Sequence, residues 1–107
     1  AAGCAPATDP NVDTLRIGAY SVVREALHDG LIPAFAESWK AKTGREVRFE
    51  ESYNASGAQA RAIASGFDAD IAILSHSGDM QVLVAVGQVK PDWAAGPDRG
   101  LITRSLV

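Results

Sequence analysis

The sequence predicts an α/β fold, with a parallel sheet and helical crossovers built from three strand–helix units. Three observations carry this expectation. Short alternating or apolar runs at 14–20, 47–51 and 71–74 read as strands. Each precedes a stretch with helical apolar spacing or a helix-start signature, and Gly44, Gly66 and Gly87 stand where those helices should stop. Strands that alternate with helices need crossover connections, and crossovers make the sheet parallel.

The first strand spans 14–20, where Leu15, Ile17 and Ala19 alternate with Arg16 and Gly18. Leu27, Leu31, Phe35 and Trp39 then recur every four residues, with Ile32 and Ala36 widening the stripe. This is an amphipathic helix with its apolar face on a core, and Trp39 is read as core rather than as a ligand platform. Gly30 and Pro33 interrupt it, so a kink or two helical pieces are expected, with Pro33 in the first turn of the second. The second strand, 47–51, leads to a helix from Ser56 to about Ser65. Ile71, Ala72, Ile73 and Leu74 form a continuous apolar run, the pattern of a strand buried on both faces. A third helix is expected over 79–86. Pro91, Gly96, Pro97 and Gly100 mark a loop, and 101–107 begins a further strand. The chain stops inside that apolar run, so it reads as a fragment of a longer protein.

At 107 residues the chain fits one domain with a modest core. Its 47% hydrophobic content and 21% charge are those of a globular protein, and its net charge of −3 argues against nucleic acid. Lys40, Lys42, Arg45 and Arg48 are interleaved with Glu46, Glu50 and Glu51, so this small basic cluster reads as a solvated surface. A single cysteine excludes an internal disulfide framework, and two scattered histidines make no metal site. No cofactor is implied. Ala1-Ala2-Gly3-Cys4 resembles the end of a bacterial lipobox, and residues 5–11 resemble a flexible tether. Residues 1–13 are therefore read as a lipid anchor at Cys4 plus tether, and 14–107 as the folded lobe. The membrane enters only through that anchor. The alternative for Cys4 is an ordinary terminal cysteine in a disordered tail.

In parallel sheets, ligands bind beyond the C-terminal ends of the strands. Tyr20-Ser21, Tyr53-Asn54-Ala55-Ser56-Gly57 and Ser75-His76-Ser77 should meet there. Among them, Ser56-Gly57-Ala58 opens a helix whose first turn has no bulky or acidic side chain. Helix starts carry unpaired N–H groups and partial positive charge, which together suit an oxyanion. Ser56 and Gln59 also form S-x-x-Q, a capping box that needs no ligand. Tyr20, Ser21 and Asn54 are expected either to line the site or to serve the turns.

The segments 19–25, 39–44, 55–63 and 68–71, in collinear order, resemble the N-terminal lobe of the periplasmic sulfate- and thiosulfate-binding proteins of ABC importers. The resemblance implies a lobe of the type II periplasmic-binding-protein kind, with a hinge or crossover strand beginning near 101–107. It also implies a second lobe that closes over a dehydrated anion and a permease that receives it. Ser56 matches the family's anion-donating serine, with Gly57 after it at the helix start. Ser21 stands where many sulfate-binding members have Asp, and Asn54-Ala55 replaces a Gly-Gly pair. The expected ligand is accordingly sulfate, thiosulfate or a similar tetrahedral oxyanion. The implied location is periplasmic or extracytoplasmic. The missing half of the cleft would come from the second lobe, or a dimer would form through the terminal strand. The alternative is a small α/β interaction domain that kept the fold without transport. A minor alternative is a Ser–His hydrolase using Ser56 and His76. Asn54 and Ala55 before Ser56 supply no G-x-S-x-G elbow for it, and no catalytic residue is assigned.

Overall fold

A computed structural model describes residues 10–95. Cys4, most of the expected tether and the expected strand at 101–107 lie outside the described residues. Within them, three strands form one parallel sheet in the order β2–β1–β3, namely β1 (Val12–Tyr20), β2 (Glu46–Asn54) and β3 (Ile71–Ile73). β1 is the central strand. It runs in register with β2 from Val12↔Glu46 to Tyr20↔Asn54, and with β3 from Ile17↔Ile71 to Ala19↔Ile73. Asp70 secures the start of β3, its N–H donating to Arg16 O and its carboxylate accepting from Arg16 N–H, both at 2.8 Å.

The chain leaves β1 through a 3-10 turn (Ser21–Val23) and a π-helical stretch (Ala26–Leu31), then enters α1 (Ile32–Thr43). The expected two-piece helix is present, and Pro33 explains the joint. Ile32 N–H bonds back to Leu27 O, five residues earlier, and Pro33 then contributes no N–H at all. Gly44, at φ 73°, ends α1 in the left-handed conformation, with its N–H on Lys40 O at 2.8 Å. α2 (Ser56–Ala64) and α3 (Ser77–Ala85) follow β2 and β3 and pack against each other.

The two faces of the sheet carry different cores. On one, Ile17, Ala19 and Leu27 are buried, with Val23, Ile32, Phe49, Tyr53 and Ile73 packed around them. On the other, Gly18 faces α2. A Cβ on Gly18 would lie 2.9 Å from Ile63 Cδ1 and 3.3 Å from Gln59 Oε1, so the missing side chain is what admits α2 this close to β1.

Four expectations need correction. β2 runs from Glu46 to Asn54 rather than over 47–51, paired with β1 along its whole length. β1 begins at Val12 rather than residue 14, because Asp13 is drawn into the sheet by a partner. Arg45 grips its carboxylate with Nη2 on Oδ1 at 2.8 Å and Nε on Oδ2 at 2.9 Å, and Trp39 Nε1 adds a third bond at 2.9 Å. Trp39 is thus only half-buried: it stacks on Phe35 at 5.8 Å between centroids and turns its N–H to the strand. β3, finally, is not buried on both faces. Its one strand neighbour among the described residues is β1, and Ile71 is 39% exposed.

The hydrogen bonds from Arg45 and Trp39 lower the Asp13 carboxyl from 3.8 to about 2. A depressed carboxylate contributes its stability in full above its unfolded pKa and loses it as pH falls through its folded one. Part of the fold's stability should therefore disappear between about pH 4 and pH 2. Urea midpoints measured across that window should fall more steeply for the wild type than for Asp13→Asn.

Candidate functional site

The C-terminal edge of the sheet brings most of the expected segments together. Tyr20 and Asn54 end β1 and β2 as direct register partners, and Ser56 opens α2 one residue beyond Asn54 and Ala55. Ser75 arrives from β3, and its N–H donates to Ser56 Oγ at 3.0 Å. Ser21 starts the 3-10 turn at the same edge and is exposed. Asn54 is exposed as well, its amide 3.4 Å from Ser52 Oγ. Tyr53 turns away from this edge, packing with the core beneath α1 while its hydroxyl donates to Glu51 Oε1 at 2.7 Å. Burial, then that bond to Glu51, push the Tyr53 hydroxyl up to about 12.

The capping box is not formed. Ala55 occupies the N-cap with extended backbone, Ser56 is the first helical residue, and no side chain caps the helix. The first intrahelical bond runs from Gln59 N–H to Ala55 O at 2.8 Å, so the N–H groups of Ser56, Gly57 and Ala58 precede the ladder. Gln59 instead turns fully into the core. Its Nε2 donates to Ala19 O at 2.8 Å and to Ser52 O at 2.7 Å, one carbonyl from each of two neighbouring strands. Its Oε1 is buried without a partner. The reverse orientation of the amide would set an oxygen against two carbonyls, so the donor assignment follows from the acceptors.

Ser56 is half-buried, and its hydroxyl donates to Asp79 Oδ2 at 2.7 Å. Asp79 lies in the first turn of α3, where the helix dipole favours a negative charge. A Cβ on Gly57 would sit 3.4 Å from Arg61 Nη1 and 3.7 Å from Asp79 Oδ1, so a guanidinium and a carboxylate flank the second residue of α2. His76 is occupied elsewhere: its Nδ1 accepts from Gly78 N–H at 2.9 Å and caps α3. The Ser–His pair that a hydrolase requires is therefore not assembled, and the acid near it in sequence bonds to Ser56 instead. A cavity of about 400 Å³ lies at the opposite end of β3, lined by Phe67, Asp68, Asp70 and Leu83 among others, away from Ser56.

Asp79 and Gln59 are the residues that sequence reasoning misplaced. Asp79 stands at the start of the helix expected over 79–86, with no role assigned to it. Gln59 shares a helical face with Ile63, four residues on, and that spacing was the signal for its burial.

Residues 15–107 match the family model described as bacterial extracellular solute-binding protein. The chain belongs to that family. It is 40% identical over 94 residues to a sulfate-binding protein of Synechocystis sp., covering 87% of this chain and 26% of that protein. It is 42% identical over 86 residues to a sulfate-binding protein of Synechococcus elongatus, covering 79% of this chain and 25% of the relative. The fold matches the solved sulfate-binding protein SubI from Mycobacterium tuberculosis H37Rv with a TM-score of 0.69 and 34% identity, over 82% of this chain and 29% of that one. The chain thus spans about a quarter of the length of these curated relatives.

Gln59 decides where α2 sits. Gln59→Leu keeps the volume but leaves two strand carbonyls without their donor, and should destabilise the fold by about 1–3 kcal/mol in urea denaturation.

Proposed function

We propose that this chain is part of an extracytoplasmic solute-binding protein that captures sulfate, thiosulfate or a similar tetrahedral oxyanion for an ABC importer. The observation that carries the reading is the head of α2. Unladdered N–H groups at Gly57 and Ala58 stand beside the Ser56 hydroxyl, at the C-terminal edge of a parallel sheet. The chain that presents them is 40% identical to a sulfate-binding protein.

The mechanism is capture without chemistry. Gly57 N–H, Ala58 N–H and Ser56 Oγ donate to the anion, and the α2 dipole supplies partial positive charge. Tyr20, Ser21 and Asn54 line the mouth of the site from the ends of β1 and β2. An anion stripped of water needs several donors to replace its hydration, more than one helix start supplies. A second lobe closing over it completes the set, and the closed form is handed to a permease. The lipobox-like start supports tethering to the membrane through Cys4.

One exposed helix terminus is worth only about 0.3–1 kcal/mol toward an anion. Calorimetric titration with sulfate and thiosulfate should therefore show negligible binding by this chain and clear binding by a version extended through the second lobe. Ser56→Ala in the extended protein should weaken that binding severalfold, up to about tenfold, because the anion loses one hydrogen-bond donor. Absence of binding by the extended protein, or undiminished binding after Ser56→Ala, would contradict the proposal.

A further inference from the structure

Ser56 has a single hydroxyl hydrogen, and it is already committed. It points to Asp79 Oδ2 at 2.7 Å, while Ser75 N–H fills a lone pair of the same oxygen at 3.0 Å. A fully deprotonated oxyanion offers acceptors alone, so it can bond to Ser56 only when that hydrogen turns away from Asp79. We infer that Asp79 is a positioning residue that limits the affinity of the anion site, holding the Ser56 hydroxyl in the empty state and opposing a dianion through its own charge. The inference rests on reading the head of α2 as the anion site.

Two features of the geometry support it. The Ser56–Asp79 bond is charge-assisted, the stronger class of hydrogen bond, so exchanging it for a bond to the anion gains less than recruiting an unengaged hydroxyl. The carboxylate also remains in place after the exchange. Asp79 Oδ1 lies 3.7 Å from the Cβ position of Gly57, whose N–H is one of the proposed donors. Arg61 Nη1, 3.4 Å from the same point, offsets part of that charge from the α2 side. His76, at the head of α3, has its Nδ1 engaged with Gly78 N–H. No proton is transferred. The hydrogen stays on Ser56 and only its acceptor changes.

The test is Asp79→Asn in the two-lobe protein, titrated calorimetrically with sulfate. The neutral amide can donate to Ser56 Oγ and release its hydrogen toward the ligand, so sulfate should bind about fivefold to tenfold more tightly than to the wild type. A ligand-linked spectroscopic readout accompanies it. In the wild type, the carboxyl ¹³C resonance of Asp79 should move on addition of sulfate, and in sulfate-free Ser56→Ala it should already be displaced in the same direction. Unchanged or weaker binding by Asp79→Asn, or an Asp79 resonance indifferent to sulfate that the wild type binds, would overturn the inference while leaving the anion-site reading intact. A wild-type protein that binds no sulfate would overturn both. Should Asp79→Asn fail to fold, the ¹³C measurement on the wild type decides alone.

Discussion

The Gln59 carboxamide ties α2 to two strands at once, and the position of every group at the head of that helix depends on it. Its Nε2 reaches Ala19 O on β1 and Ser52 O on β2, near the C-terminal ends of both strands. Gly18 makes room for it, because a side chain there would meet Gln59 Oε1 and Ile63. The bonds fix the depth and direction of α2 one turn after Ser56. Apolar packing through Ala60 and Ile63 would hold the helix on the sheet, but such contacts tolerate sliding. Two directed hydrogen bonds from one buried group tolerate much less of it. An unpartnered Oε1 is the cost of that arrangement, on the order of 1–3 kcal/mol for a buried acceptor.

The two faces of β2 show how one strand serves separate tasks. Side chains alternate across the sheet, so Tyr53 points into the core beneath α1, whereas Ser52 and Asn54 belong to the opposite face. Tyr53 bonds to Glu51, which also meets His28 Nδ1 at 2.9 Å, and the Arg24 guanidinium lies 5.9 Å from the Tyr53 ring centroid. Burial raises the Glu51 carboxyl, but the Tyr53 and His28 bonds, together with the electrostatic pull of His28 and Arg24, outweigh it and leave the group below its ordinary value. This network joins Glu51 to Tyr53 and His28 on the α1 side of the sheet. On the α2 side, the N–H groups of Ser56, Gly57 and Ala58 precede the helix ladder, with the Asp79 carboxylate beside them.

Most of the fold was legible because hydrophobic spacing and chain punctuation are local properties. The helix from Ser56 and the two-piece helix with Pro33 at its joint follow from residues within a turn or two of each other, and the parallel sheet follows from the alternation of strands and helices along the chain. The misreadings share a physical origin, since each depends on a partner distant in sequence. Gln59 in S-x-x-Q reads as a cap until Ala19 and Ser52 are brought beside it. Trp39 reads as core until Asp13 offers an acceptor, and Asp79 has no assigned role until Ser56 comes within 2.7 Å. An apolar run at 71–74 cannot announce whether a second strand neighbour lies beside it; among the described residues β1 is the one neighbour, and Ile71 is exposed. The family relationship was legible for the opposite reason: it rests on several short segments in order, not on any one contact.

Selenate soaked into crystals of the two-lobe protein would test the central claim most directly, because selenium marks a tetrahedral dianion by anomalous scattering. The account predicts one strong peak at the head of α2, with anion oxygens within hydrogen-bonding distance of Ser56 Oγ and the Gly57 N–H. A peak held elsewhere in the cleft, with Ser56 still bonded to Asp79 and Gly57 N–H unengaged, would contradict it.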